Sequence, residues 1–429
     1  MNEIPYKFWN RSQLAKEFMP LLWVGAHIFA NGFVSFLVIV ISTRKLQTLD
    51  LENFLVAWNS INVFLVVLLS PIEALAPKLL SDHKYARKNL VVLKKQALGS
   101  VTFLLLFAVF ARFANIIVLK ISDIFAIALF VFVAKNAYVL RSIFIAGGLF
   151  PSIARLSLLT LFSTYVLFQI LYLADQISAT SIFIGSSIGT IIGILFSKKK
   201  LLTETESFDV EEIETKDPNE KNIHRRLFLL SGTTFMQAGL MMSGVTVLHF
   251  IGGTESDIVM YAFLAGLCLI CFGFVNSAAA PMSKSAALAV ISGDLLKLKD
   301  IFFRNVVIYI FGLLITMVFV VASADIYLKI ITGGQIEASR TRIVLTVLAM
   351  GAECVITAPK IVLVGLGHER KIVQVWVSGI VIYVTSLFLP IGPYERVCTA
   401  ISVYGLYIFI TGTIFTLRYI NTENIEMNG

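Results

Sequence analysis

The chain has 429 residues, 57% of them hydrophobic and 14% charged, with a formal net charge of +8. A soluble domain of this length would carry roughly a quarter charged residues. The apolar residues recur in continuous stretches of about 20, the length a helix needs to cross a bilayer. That predicts an all-α polytopic membrane protein and excludes the alternating pattern of an outer-membrane barrel.

About twelve spans follow in chain order: 18–41, 54–80, 97–119, 122–146, 150–173, 177–197, 227–251, 258–283, 301–322, 341–366, 371–391 and 397–420. The first is too long for the apolar core of a signal peptide and lacks a small-residue cleavage site. Pro20, Pro71, Pro77, Pro281 and Pro359 lie within spans or at their ends, where neighbouring helices can satisfy a freed carbonyl.

Lys and Arg alternate along the connections. They gather at the N-terminus (Lys7, Arg11, Lys16), after the second span (Lys84, Arg87, Lys88, Lys94, Lys95) and around the fourth connection (Arg141, Arg155). They gather again through 198–226, after the eighth span (Lys284, Lys297, Lys299, Arg304) and after the tenth (Arg370, Lys371). The other connections are poorer, the ninth with Lys329, Arg340 and Arg342 being the weak entry in the pattern. By the positive-inside rule both termini are expected in the cytoplasm. The same rule absorbs most of the +8, so nucleic acid is not an expected partner.

The segment 198–226, with basic ends and an acidic middle, reads as a cytoplasmic linker between bundles at 1–197 and 227–429. The halves resemble each other. "EALAPKLLSDHKYARKNLVVLKKQ" (73–96) and "SAAAPMSKSAALAVISGDLLKLKD" (277–300) both run through Ala-Pro at a span's end into a basic stretch. "FIAGGLFPSIARLSLL" (144–159) and "VLVGLGHERKIVQVWV" (362–377) both carry a glycine turn, a basic residue and a new span. Six spans per half would insert both halves in one orientation, as parallel repeats around a central cleft.

Cys268, Cys271, Cys354 and Cys398 all sit in apolar segments. With no second pair and no nearby His, Cys268-x-x-Cys271 reads as core, and no metal or cofactor site is expected. No P-loop, His-Glu-x-x-His or nucleophile elbow is present, and the extracytoplasmic connections, such as "ADQIS" (174–178) and "GGTESD" (252–257), are short. The chain is therefore not expected to be an enzyme; a glycan polymerase would need a sizeable external loop.

Lys135 lies near the middle of the fourth span, where an unpaired lysine costs roughly 2.5–3.5 kcal/mol. Either it faces a hydrated cavity or it pairs with a carboxylate, Glu73 in the second span or Glu353 in the tenth. Arg141, nearer the cytoplasmic end, either snorkels or joins it. Glu353 and Lys360, seven apart, share a helix face. A structural ion pair accounts for any of these charges; a polar pathway for an anionic substrate accounts for them together. His27 and His249 occupy corresponding spans, and Asn31, Asn59, Asn62, Gln237 and Asn276 add polarity to the first two spans of each half. Such residues commonly join helices, but their concentration is expected to line a shared cleft.

Several stretches resemble the flippases of O-antigen-type polysaccharide in the MOP exporter superfamily, which also holds the MATE drug exporters and the lipid II flippases. They are "NSAAAPMSKSAALAVISGDLLKLKDIFFRNV" (276–306), "DIYLKIITGGQIEASRTRIVLTVLAMG" (325–351), "VLVGLGHERKIVQVWVSGIVIYVTSLFLPIG" (362–392) and "STRKLQTLDLENFLVAWNSINVFLVVLLSPIEAL" (42–75). The resemblance implies movement of undecaprenyl-diphosphate-linked glycan across a bacterial inner membrane by alternating access. Its partners would be a lipid-linked oligosaccharide, membrane lipids and other polysaccharide assembly proteins. Lys135, Arg141 and Lys360 would attract the diphosphate in a cavity that Glu73, Glu353, His27, His249, Asn31 and Asn62 complete. The two extra spans typical of lipid II flippases are missing, as is the first-span carboxylate of some MATE exporters. The alternative is a MATE-like cation-coupled multidrug exporter, in which Glu73 and Glu353 would matter more than the lysines.

Overall fold

In the computed structural model, residues 11–46, 48–81, 86–113, 120–204, 220–276, 278–332 and 338–428 are described. Among them the chain forms fourteen helices and no strand. The first half holds α1 (Arg11–Lys45), α2 (Thr48–Ser81), α3 (Ala86–Phe113), α4 (Ile121–Gly147), α5 (Phe150–Leu173) and α6 (Ala179–Glu204). The second holds α7 (Glu220–Phe250), α8 (Glu255–Asn276), α9 (Ala279–Ile291), α10 (Leu295–Thr332), α11 (Arg340–Val355), α12 (Thr357–Leu366), α13 (Glu369–Ser386) and α14 (Pro393–Asn428). Eight of the described helical segments are long and apolar enough to cross a membrane by length and composition. This is the architecture of a multi-pass membrane protein.

Short polar residues fix the helix starts. Asp123 accepts the Lys120 N–H at 3.0 Å and the Thr180 hydroxyl at 2.5 Å, which joins the first turn of α4 to α6. Thr254 and Asp257 cap each other reciprocally before α8, and Ser339 Oγ accepts from the Arg342 N–H before α11. Glycines in the left-handed region close α4 (Gly148, φ 73°) and α12 (Gly367, φ 86°).

Two expected spans are broken. The eighth divides into α8 and α9, and the tenth into α11 and α12. The prolines give the reason. Pro281 and Pro359 each fall third in the second segment, α9 and α12, where the missing N–H would have found no helical partner anyway. The expected linker 198–226 is also shorter than read: α6 continues to Glu204 and α7 begins at Glu220, while 205–219 lie outside the described residues.

Packing repeats from half to half. α5 lies on α6 and α1, as α13 lies on α14 and α7. α4 lies on α2 and α6, as α11 lies on α8 and α14 and α12 on α9 and α14. α3 covers α2 and α4, and α10 covers α8, α9, α11 and α12. Between the halves α1 meets α8 and α2 meets α7, while α9 touches α2 and α4, and α12 touches α2. α1 and α2 scarcely touch; each packs instead on the other half.

The tightest helix pair is α5 on α6, built on a stripe of small residues. A Cβ on Gly189 would lie 2.9 Å from the Thr164 backbone nitrogen, and one on Gly193 would lie 2.7 Å from the Leu156 carbonyl oxygen. Gly99 in α3 has nothing within 4 Å of the corresponding position. Gly189→Val should therefore lower stability by about 1–3 kcal/mol through overpacking. Thermal unfolding in detergent should show a clear drop for Gly189→Val and almost none for Gly99→Ala.

Candidate functional site

Four of the five charges singled out inside the spans form one group per bundle, and Lys135 stands apart. In the first, Arg141 of α4 donates from Nε to Glu73 Oε1 of α2 at 2.7 Å. Its guanidinium also lies over the Tyr138 ring, 3.9 Å from the centroid. Arg141 is buried. Of the two alternatives open for Arg141, snorkelling does not occur, because a carboxylate and an aromatic face meet its charge inside the bundle. His27 of α1 sits close enough to Arg141 for their charges to interact. Its Nδ1 shares a 2.5 Å hydrogen bond with Ser157 Oγ of α5, and Asn31 Nδ2 lies 3.3 Å from the same nitrogen. Four helices of the first bundle thus contribute to two neighbouring polar groups, Arg141 with Glu73 and His27 with Ser157 and Asn31.

Lys135 stands apart from them, six residues along α4 from Arg141 and so about 9 Å along the axis. It is half-buried, with its ammonium over the Phe132 ring at 4.1 Å, and pairs with no carboxylate among the described residues. Neither expected partner serves it. Glu73 is taken by Arg141, and Glu353 lies in the other bundle.

In the second bundle Lys360 of α12 donates to Gln237 Oε1 of α7 at 3.1 Å. Glu353 of α11 is buried against Gln237 and Lys360, with neither of its oxygens in a hydrogen bond of standard geometry. The shared helix face expected for Glu353 and Lys360 is interrupted at Ile356, yet the turn keeps the two charges in range of each other. Asn62 is spent on its own helix, donating to the Trp58 carbonyl at 2.8 Å. The side chains of His249 and Asn59 lie outside the described residues.

Three further ion-pair groups were not read from the sequence. Arg226 of α7 pairs with buried Glu369 at the start of α13 and donates to the Val364 carbonyl at 3.2 Å. Arg342 joins Asp257 at 2.6 Å and Glu395 at 3.1 Å, binding the first turns of α8, α11 and α14. Lys45, the last residue of α1, meets Asp175 at 2.7 Å and holds that carboxyl below its ordinary range. Each of these cations was counted only as loop charge, because spacing in the sequence does not reveal partners 53–143 positions apart.

A groove of about 1440 Å³ runs between α1 and the α8–α10 segment. Its walls are mostly apolar, from Pro20 to Phe311 and Phe319, and its basic end carries Lys284, Lys297 and Arg304 beside Asp300.

No family model and no curated protein sequence matches this chain. The fold, in contrast, is that of solved MATE transporters. The chain resembles a point mutant of the Vibrio cholerae MATE transporter VcmN over 96% of its own length and 98% of that chain, at 13% identity and a TM-score of 0.80. It resembles an outward-facing multidrug resistance MATE transporter of the MOP superfamily over 94% and 96% of the two chains, at 12% identity and a TM-score of 0.79. A MATE in a straight conformation matches at 14% identity and a TM-score of 0.79, covering 96% of each chain.

Removing one member of a buried ion pair strands the other. Arg141→Met or Glu73→Gln should each cost about 3–5 kcal/mol, while the double variant should cost less than the sum. Melting curves of the four proteins in detergent form the cycle that measures this coupling.

Proposed function

We propose that this chain is an exporter that moves an undecaprenyl-diphosphate-linked glycan from the inner to the outer leaflet by alternating access. The two bundles, 1–197 and 227–429, rock about the cleft between them, with both termini in the cytoplasm of a bacterial inner membrane. The observation that carries this reading is the sign of the interior charge. Glu73 answers Arg141, and Glu353 lies near Lys360, which leaves Lys135 as a cation without an acidic partner among the described residues. A diphosphate supplies the missing charge, and the low dielectric of a membrane interior strengthens the attraction. His27, Asn31 and Asn62, with His249 in the matching helix, complete the polar lining on this proposal. The groove beside α1, whose lining does not include Lys135, offers apolar walls that suit a lipid tail.

The second reading, a MATE-like cation-coupled multidrug exporter, is the one the solved structures favour. The buried Glu353, whose oxygens lack standard hydrogen bonds, also favours it, because an acidic group in a membrane interior can take up a coupling proton or a cationic substrate. The two readings separate in cells. On the flippase reading, Lys135→Ala should abolish surface glycan while the protein still reaches the membrane in normal amount, and drug sensitivity should not change. Glycan staining and immunoblotting of membranes read both quantities. Full glycan export by the variant, together with drug sensitivity in cells lacking the protein, would establish the second reading instead.

A further inference from the structure

The two pairs of matching motifs in the sequence are not merely repeated; they are crossed. Lys78, which follows Pro77 in α2, reaches into the other half, where its Nζ donates to the Gly365 carbonyl of α12 at 2.6 Å. The same ammonium lies 3.6 Å from where a Cβ on Gly367 would be. Lys284, three residues after Pro281 in α9, reaches the opposite way. Its ammonium occupies the space that a Cβ on Gly148 would fill, and its Cε and Cδ lie 3.4 and 3.6 Å from that position. Each lysine thus rests on the glycine-closed end of a helix in the other bundle.

Both contacts set an ammonium against a helix C-terminus, and among the described residues Lys78 makes a hydrogen bond there while Lys284 lies in van der Waals reach of the turn. A helix C-terminus carries unsatisfied carbonyls and a partial negative charge. The Gly148 and Gly367 turns satisfy two of the last carbonyls each and leave room beside the rest, because a left-handed residue without a side chain lets an ammonium approach the backbone. α2 also packs on α12, and α9 on α4, so the lysines bridge helices already in contact. Both contacts lie at the face that carries the start of α1 and the end of α14. Arg226, which also reaches the end of α12 at the Val364 carbonyl, belongs to the same half as that helix and among the described residues joins nothing across.

We propose that Lys78 and Lys284 are positioning residues of the transport cycle, a reciprocal pair that holds the two bundles together at the face carrying the start of α1 and the end of α14 and must let go for that face to open. The proposal rests on the alternating-access reading and is indifferent to the substrate, so its test requires no substrate.

Nitroxide labels at Lys94 and Arg370, both exposed and in opposite halves, report on this face. Labels at exposed Ser122 and Thr341 report on the other. The four native cysteines are first replaced by alanine, and distances are measured by pulsed electron resonance in nanodiscs. Lys78→Met and Lys284→Met should each raise the population with a longer 94–370 distance by about threefold to tenfold, the strength of a cation at a helix C-terminus. The double variant should multiply the two effects, and the 122–341 distance should shorten in step. Lys78→Arg and Lys284→Arg, which keep the cation, should stay near the parent. The proposal fails if the methionine variants leave both distributions unchanged, if both faces broaden without the reciprocal shift, or if arginine behaves like methionine. Should the double variant not insert, the two single variants decide by the same criteria. A shifted distribution in a protein that moves no glycan would leave the pair standing and remove only the flippase reading.

Discussion

The fold depends on what a hydrocarbon interior does to a charge. An ion that water would cover at no cost must there find a counter-charge, a dipole or an aromatic face, and the chain supplies one of these to each cation argued over above. Arg141 has Glu73 and the Tyr138 ring, Lys360 has Gln237 and the nearby Glu353, and Lys135 has the Phe132 ring. These contacts also select which helices neighbour one another. The Arg141–Glu73 pair fixes α4 on α2, and the His27–Ser157 bond fixes α1 on α5. The polar contacts and the helix packing of the first bundle are therefore one arrangement.

The second consequence concerns symmetry. Corresponding helices make corresponding contacts in the two halves, although the second half breaks two of its helices where the first keeps them whole. The breaks do not disturb the packing, because α8–α9 and α11–α12 still lie together as α2 and α4 do. What differs is the chemistry inside. One bundle neutralises an arginine with a direct carboxylate bond; the other sets a lysine on an amide and leaves its carboxylate without standard hydrogen bonds. Two like scaffolds thus enclose unlike polar interiors.

Much of the fold was legible because apolar length is a local property. The helix expected at 150–173 is α5 to the residue, and that expected at 122–146 is α4 within one residue at each end. The breaks at Ala278 and Ile356 were not legible: a proline inside an apolar run marks either a kink or a new first turn, and only packing decides. The site was half legible. Residue type alone singled out Arg141, Glu73, Glu353 and Lys360, but their pairing depends on helix rotation, which hydropathy does not report. That is why Glu73 was offered to Lys135 and found with Arg141. The repeated proline and glycine motifs were visible as a repeat, and their crossing between halves was not.

The central claim is that the unpaired positive charge of the interior selects an anionic lipid-linked head group. The most direct measurement is transport by the purified protein in liposomes, with undecaprenyl-diphosphate-linked oligosaccharide in one preparation and ethidium under a proton gradient in another. The account predicts that glycan becomes accessible to an external glycosidase in a protein-dependent manner and that the dye stays where it was loaded. Dye transport driven by the gradient, with the glycolipid left in its original leaflet, would contradict it.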